Sequence, residues 1–519
     1  MTTEPQRATM PKIMLHSPLW HTVRDISVRG QIIVDGLCLQ GTALADYFDT
    51  ARTSQDLKSL LHKANGLFAV IIRKPYLMAM ATDRVRTIPL FYTNDTISDT
   101  PRLLATRPIE LDFEAGLQYE ASGATFPGYT LDQRVRQVPA GAYVVWKEAA
   151  APQYFDYYSH TCTLHDTRPA TITQVEKSIQ DAFDNLRLTL DKRPVLLPLS
   201  GGYDSRLIAC HLKNLACKDV TCYHVGFPNS PQHIIAQQVA QKLGFAYHLV
   251  NVSDAFPQEM LRDADFLQYV EHLGAYTNFV WLFEYVALRH MTRIGLIHAG
   301  DIAIPGHSGD FLTGSHIRKG GIDNHSTARN LSYAMAYRSF EYPCPSSIRK
   351  RLHVHFEDLL QKSATPVSAY QDFIMKHRQA QQIVNSARVY EHFGLQLRLP
   401  LWDNGLLELF RTLPYEQLID CKLYRQYAHK VFATHGVDFR RPDGDPRPAS
   451  YIKLWLKRHL PQWMANLLPH PADPTGEWAM AQTLLDDLRR QHIRPSHAYT
   501  TSNDIIKDWY LSYCLRSEE

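Results

Sequence analysis

The stretch PLSGGYDSRLIAC, residues 198–210, closes the apolar run LLPL and opens a helical pattern. Its residue types suit a phosphate. Gly201 and Gly202 carry no side-chain bulk, so backbone amides there can approach a ligand closely. The Ser200 and Ser205 hydroxyls can donate to phosphate oxygens, and the helix that follows adds its positive N-terminal dipole. Asp204 is badly placed against phosphate unless a magnesium ion stands between them. No lysine follows the glycines, so this is not the GK[ST] loop of nucleoside triphosphatases. A glycine-rich turn alone often serves geometry only; it is the hydroxyls and the acid that make this one a pyrophosphate cradle.

The elements around the loop support that reading. Ile172, Val175, Ile179, Phe183, Leu186 and Leu190 recur at helical spacing. RPVLLPL reads as a buried strand, RLIACHLKNLA as a helix, DVTCYHVGF as a strand and SPQHIIAQQVAQKLG as a helix capped by Gly244. AYHLVNV is a third strand, and from Pro343 onward the chain reads as mostly helical. Alternating strands and helices predict a doubly wound, parallel α/β sheet. The first ~160 residues differ: short runs such as RGQIIV, GLFAVIIR, YLMAMATD, IPLFYT and GAYVVW, bounded by turn residues, predict a mostly β domain. QYFDYYSHTCTLHDTRPAT reads as a linker between domains of residues 1–160 and 170–519.

Composition narrows the class. With 519 residues, two domains are expected. A formal charge of +3, spread thinly, offers no nucleic-acid arm and no polybasic anchor. No run approaches the ~20 apolar residues of a membrane span, and MTTEPQRATMPK lacks the apolar middle of a signal peptide. Eight cysteines without a pairing frame fit a reducing compartment. A cytoplasmic protein without nucleic-acid or membrane partners is expected.

SGGYDS closely resembles the SGGxDS loop of the ATP pyrophosphatases, and further segments narrow the resemblance to the asparagine synthetase superfamily. VGFPNSPQHIIAQQVAQKLGFAYHLV looks like that family's strand, loop and helix after the ATP loop. PGHSGDFLTGSH, residues 305–316, resembles its second phosphate loop, and FGLQLRLPLWDNGLLELF its Pro-Phe-Leu-Asp segment. NGLFAVII and DRVRTIPLFYT resemble the N-terminal, Ntn-type glutamine amidohydrolase domain. The resemblance implies ATP bound by Leu199, Ser200, Gly201, Gly202, Asp204, Ser205, Val225, Gly226, Gly306, Ser308 and Gly309. It implies magnesium on Asp204 and Asp310. Around the reacting centre it points to Gln396, where the family has glutamate, with Glu391 and Tyr390 as nearby alternatives. Arg440 and Arg441 stand near the family's lysine.

Departures shape the functional expectation. The family's glutaminase uses a cysteine at position 2, and here residue 2 is Thr2. The first β-like run is expected only near Gln31, which leaves that terminus unheld. Arg86 replaces a glycine, and Cys38 reads as a core cysteine. β-Lactam synthetases and lasso-peptide cyclases share the architecture without the cysteine. The expected function is AMP-forming amide-bond formation: adenylation of a small-molecule or peptide carboxylate, then transfer to ammonia or another amine, without glutaminase activity. Lactam or peptide cyclisation remains open, as do a nucleotide-binding pseudoenzyme partner and a homodimeric assembly. The loop HIRKGGIDNHS is expected over the site.

Overall fold

The computed structural model describes residues 10–147, 151–251, 255–256, 259–340, 344–439, 477–490 and 501–516. Two sheets occupy residues 12–156. The larger has seven strands and runs from Gln153–Asp156 through Ala142–Trp146, Leu77–Thr82, Asn65–Lys74 and Ile26–Val34 to His21–Val23, with Leu37–Gln40 also pairing with Ile26–Val34. Asn65–Lys74 is the strand read as GLFAVIIR. It is apolar on both faces because both are covered: Phe68, Val70 and Ile72 join one hydrophobic cluster, Ala69 and Ile71 another. The first of these clusters continues through Val175, Ile179, Leu197 and Leu401. The strand-rich part and the C-terminal part therefore share one core.

The linker reading needs correction, because its first four residues, Gln153–Asp156, pair antiparallel with Ala142–Trp146. Strands also begin earlier than expected, at Lys12–Met14, which pairs with Thr96–Ser98. Three helices interrupt the strand-rich part, at Gly41–Asp49, Ser54–Lys63 and Phe113–Ser122. The second starts on a capping box in which Thr53 and Asp56 exchange hydrogen bonds. Residues 1–9, which include Thr2, lie outside the described residues.

The C-terminal sheet is all parallel, in the order Ala246–Asn251, Val220–Gly226, Val195–Pro198, Ile302–Ala303, Gln396–Leu397. In chain order these are the third, second, first, fourth and fifth strands. The winding reverses between Val195–Pro198 and Ile302–Ala303, and such sheets bind ligands beyond the carboxyl ends of strands at that switch point. The helix Ile172–Arg187 packs Val175, Ile179, Ala182, Phe183 and Leu186 inward from a capping box of Thr171 and Gln174, on the predicted period.

Buried histidines make this fold acid-sensitive. Burial holds His160 and His211 down to about 4 and His377 to about 3. Unfolded, each takes a proton near pH 6.5. Below that the unfolded chain binds more protons, so stability falls as pH drops from about 6.5 toward 4, by up to about 1.4 kcal/mol per pH unit for each histidine. Burial raises Asp83 to about 6, which opposes the trend with one carboxyl against three rings. Urea midpoints measured at steps from pH 7.5 to 4.5 should be level above 6.5 and fall steadily below it; a flat profile would contradict the neutral burial of these rings.

Candidate active site

A cavity of about 660 Å³ opens at the switch point. Leu199, Ser200, Gly202, Asp204, Ser205, Val225, Gly306 and Asp310 line it, which brings together most of the residues expected at the nucleotide. The loop after Val195–Pro198 is closed by its two serines: Ser200 N–H donates to Ser205 Oγ at 3.1 Å, and the hydroxyls stand 3.2 Å apart. The helix Tyr203–Asn214 then begins at Gly202, so its N-terminus points into the cavity's mouth.

Not every expected contact is a cavity contact. Gly201 N–H donates to Gln232 Oε1 at 2.8 Å and Gly202 N–H to Ser200 Oγ at 3.1 Å, so the loop amides are held within the protein. Gly201, Gly226, Ser308 and Gly309 do not line the cavity. Glycine lets the second loop lean closely on the first. A Cβ on Gly309 would stand 2.9 Å from the Asp204 carboxyl, and one on Gly306 3.0 Å from Ser205 N.

The two loops meet through their acids. Asp310 N–H donates to Asp204 Oδ2 at 2.9 Å, and Tyr424 donates its hydroxyl to Asp204 Oδ1 at 2.7 Å. Asp310 itself accepts from Phe311 N–H at 2.7 Å and from Ser315 Oγ at 3.1 Å. Among the described residues no group of three or more His, Cys, Asp or Glu could hold a metal. Two carboxylates suit magnesium, which ordinarily takes one or two and completes its shell with phosphate oxygens and water.

Arg206, the arginine of the opening motif, does not face the cavity. It is buried, and its Nη1 donates to the carbonyls of Val437 at 3.1 Å and Phe439 at 2.9 Å. It ties the loop helix to the segment that leads to Arg440. Arg440 and Arg441 themselves lie outside the described residues.

Glu391 and Gln396 require correction. Glu391 sits in the one-turn helix Val389–His392 and pairs with Arg29 of the strand-rich part, away from the cavity. Gln396 lies on the strand at the sheet's edge, where its Oε1 accepts from Arg398 at 3.1 Å. Tyr390 does line the cavity, with its hydroxyl 2.9 Å from that of Tyr223.

Sequence reasoning missed Glu284, in the first turn of the helix Phe283–Arg293. Its carboxyl lines the cavity near Tyr223 and Tyr390, and burial raises its pKa. Its only signal was one acid in the aromatic run NFVWLFEYV. Arg318, Arg338 and Arg425 also line the cavity. Arg318 belongs to the loop expected over the site. Arg425 arrives after Asp420 and Cys421, both in the left-handed region at φ +53° and +55°. Cys38 is half-buried, and burial raises its thiol, the reverse of an activated nucleophile.

A parallel sheet with two acid-bearing loops at its switch point defines a doubly wound α/β protein with a ligand site beyond its strand ends. The family model for asparagine synthase matches residues 174–509, and the chain belongs to that family. It is an ATP-using, ligase-type enzyme on that membership. No curated protein matches the chain. Among solved structures, the U34-tRNA thiolase NcsA of Methanococcus maripaludis, determined with its iron–sulfur cluster, shares 14% identity. That likeness covers 40% of this chain and 80% of the thiolase, with a TM-score of 0.20, and says nothing about activity. No helix among the described residues is long and apolar enough to cross a membrane.

Proposed function

We propose that the protein adenylates a carboxylate with ATP, releases pyrophosphate, and transfers the acyl group to an amine. The meeting of Asp204 and Asp310 across the two loops carries this reading. Asp204 and Asp310 would hold magnesium, which when bound would supply positive charge against the phosphate oxygens. The loop of Ser200 to Ser205 then grips the departing pyrophosphate, and Arg318 and Arg338 add cationic charge along the wall. Glu284, on the same cavity, accepts the amine's proton as it attacks.

Residues 170–519 form the synthetase in this reading, and residues 1–160 a supporting domain without glutaminase chemistry. The raised thiol of Cys38 supports that division of labour. The amine is then free ammonia or one carried by a substrate, as in lactam or peptide closure. Purified protein with ATP, magnesium and panels of carboxylates and amines should yield AMP and pyrophosphate in equal amounts. ADP and phosphate as products would exclude the mechanism. Tight ATP binding with no turnover on any panel would favour a nucleotide-binding partner subunit.

A further inference from the structure

A second charged cluster lies outside the nucleotide cavity, at the seam between the strand-rich and C-terminal parts. Arg86 occupies the turn after Leu77–Thr82 and is 1% exposed, yet its Nε, Nη1 and Nη2 meet no hydrogen-bond partner. Arg388, 3% exposed, precedes the helix Val389–His392, and its Nε is also unmet. Its other nitrogens make only long contacts, 3.3 Å to Asn385 Oδ1 and 3.3 Å to the His272 ring. Burial, and after it the nearby charges of Arg29 on Ile26–Val34 and of Arg86, disfavour the charge on Arg388, and Asp99 offsets this only in part.

The acids nearby do not answer all three. Glu391 pairs with Arg29. Asp99 accepts from His16 N–H at 2.7 Å, Ser17 N–H at 3.0 Å and Trp20 Nε1 at 2.8 Å. Asp83 acts on Arg86 only at a distance. Its oxygens accept from Phe68, Val85 and Thr87 N–H and from the Thr87 hydroxyl. A guanidinium cannot shed its proton to escape burial. Burying its donors without acceptors is among the costliest arrangements a core can hold. The planar fork of an arginine matches the oxygens of an oxyanion.

We infer that Arg86 and Arg388, backed by Arg29, bind a small inorganic oxyanion of the phosphate or sulfate type at this seam. The anion joins the turn of the strand-rich part to the helix that presents Tyr390 to the nucleotide cavity. It is distinct from the nucleotide site and independent of the reaction proposed there.

The test uses full-length protein dialysed into chloride buffer free of phosphate and sulfate. Ion chromatography after denaturation should release close to one oxyanion per chain, or else added phosphate or sulfate should raise Tm saturably at constant ionic strength. Two variants separate the sites. Gly202→Asp puts a negative charge in the nucleotide cavity and should leave the effect intact; Arg86→Met should abolish it and melt above the anion-free wild type. Arg388→Met repeats the test if the first substitution prevents folding. Neither released anion nor a shift would mean the donors are met by water and would overturn the inference. So would a shift that survives Arg86→Met and disappears in Gly202→Asp.

Discussion

Asp204→Asn is expected to lower AMP and pyrophosphate formation by ~10²-fold or more, the usual cost of removing preorganised charge from a transferring phosphate. The substitution keeps the side chain's volume and one acceptor oxygen, so Tyr424 or Asp310 N–H retains a partner. The Tm without nucleotide should therefore move little. Asp310→Asn should cost a similar factor. Because both acids act on one developing charge, the double variant should be scarcely slower than either single one. Initial rates of pyrophosphate release measure all three. A single variant within threefold of wild type would show that these acids do not face the transferring phosphate.

Glu284→Gln should separate the two half-reactions. Adenylation needs no base on the amine, so carboxylate-dependent exchange of pyrophosphate into ATP should persist. Amide formation should fall by ~10²–10³-fold, the ordinary contribution of a positioned base. Burial raises the Glu284 carboxyl, so it ionises above the usual carboxylate range. Wild-type amide formation should climb with pH through that raised range, and the glutamine variant should lack this limb. Exchange and amide formation falling together would instead assign Glu284 to substrate binding.

What the sequence made legible was local. SGGYDS and PGHSGDF could be read because a tight strand-to-helix turn fixes its own geometry, and the glycines in them answer contacts only two loops long. The helix Ile172–Arg187 was equally plain from its period. Facing was not legible. Glu391 and Tyr390 are neighbours in a one-turn helix, and the rotation of that turn sends Tyr390 to the cavity and Glu391 to Arg29. Glu284 reaches the cavity from a helix more than 70 residues beyond the loop, with no spacing rule to connect them. The helices of the strand-rich part did leave a signal, since TSQD at Thr53 is a capping box, but the strand-like runs on either side masked it.

The last described helix, Ser502–Cys514, returns to the beginning of the chain. Tyr119 donates its hydroxyl to the Lys507 carbonyl at 3.1 Å, Lys507 Nζ donates to the Glu120 carbonyl at 2.9 Å, and Ile109 N–H donates to the Cys514 carbonyl at 3.2 Å. Asn65 meanwhile donates to Asp403 at 2.6 Å. The polypeptide is thus buckled on itself, with its tail fastened over its head. Cutting such a molecule between its two parts would bare the surface each is moulded to, so neither should fold alone.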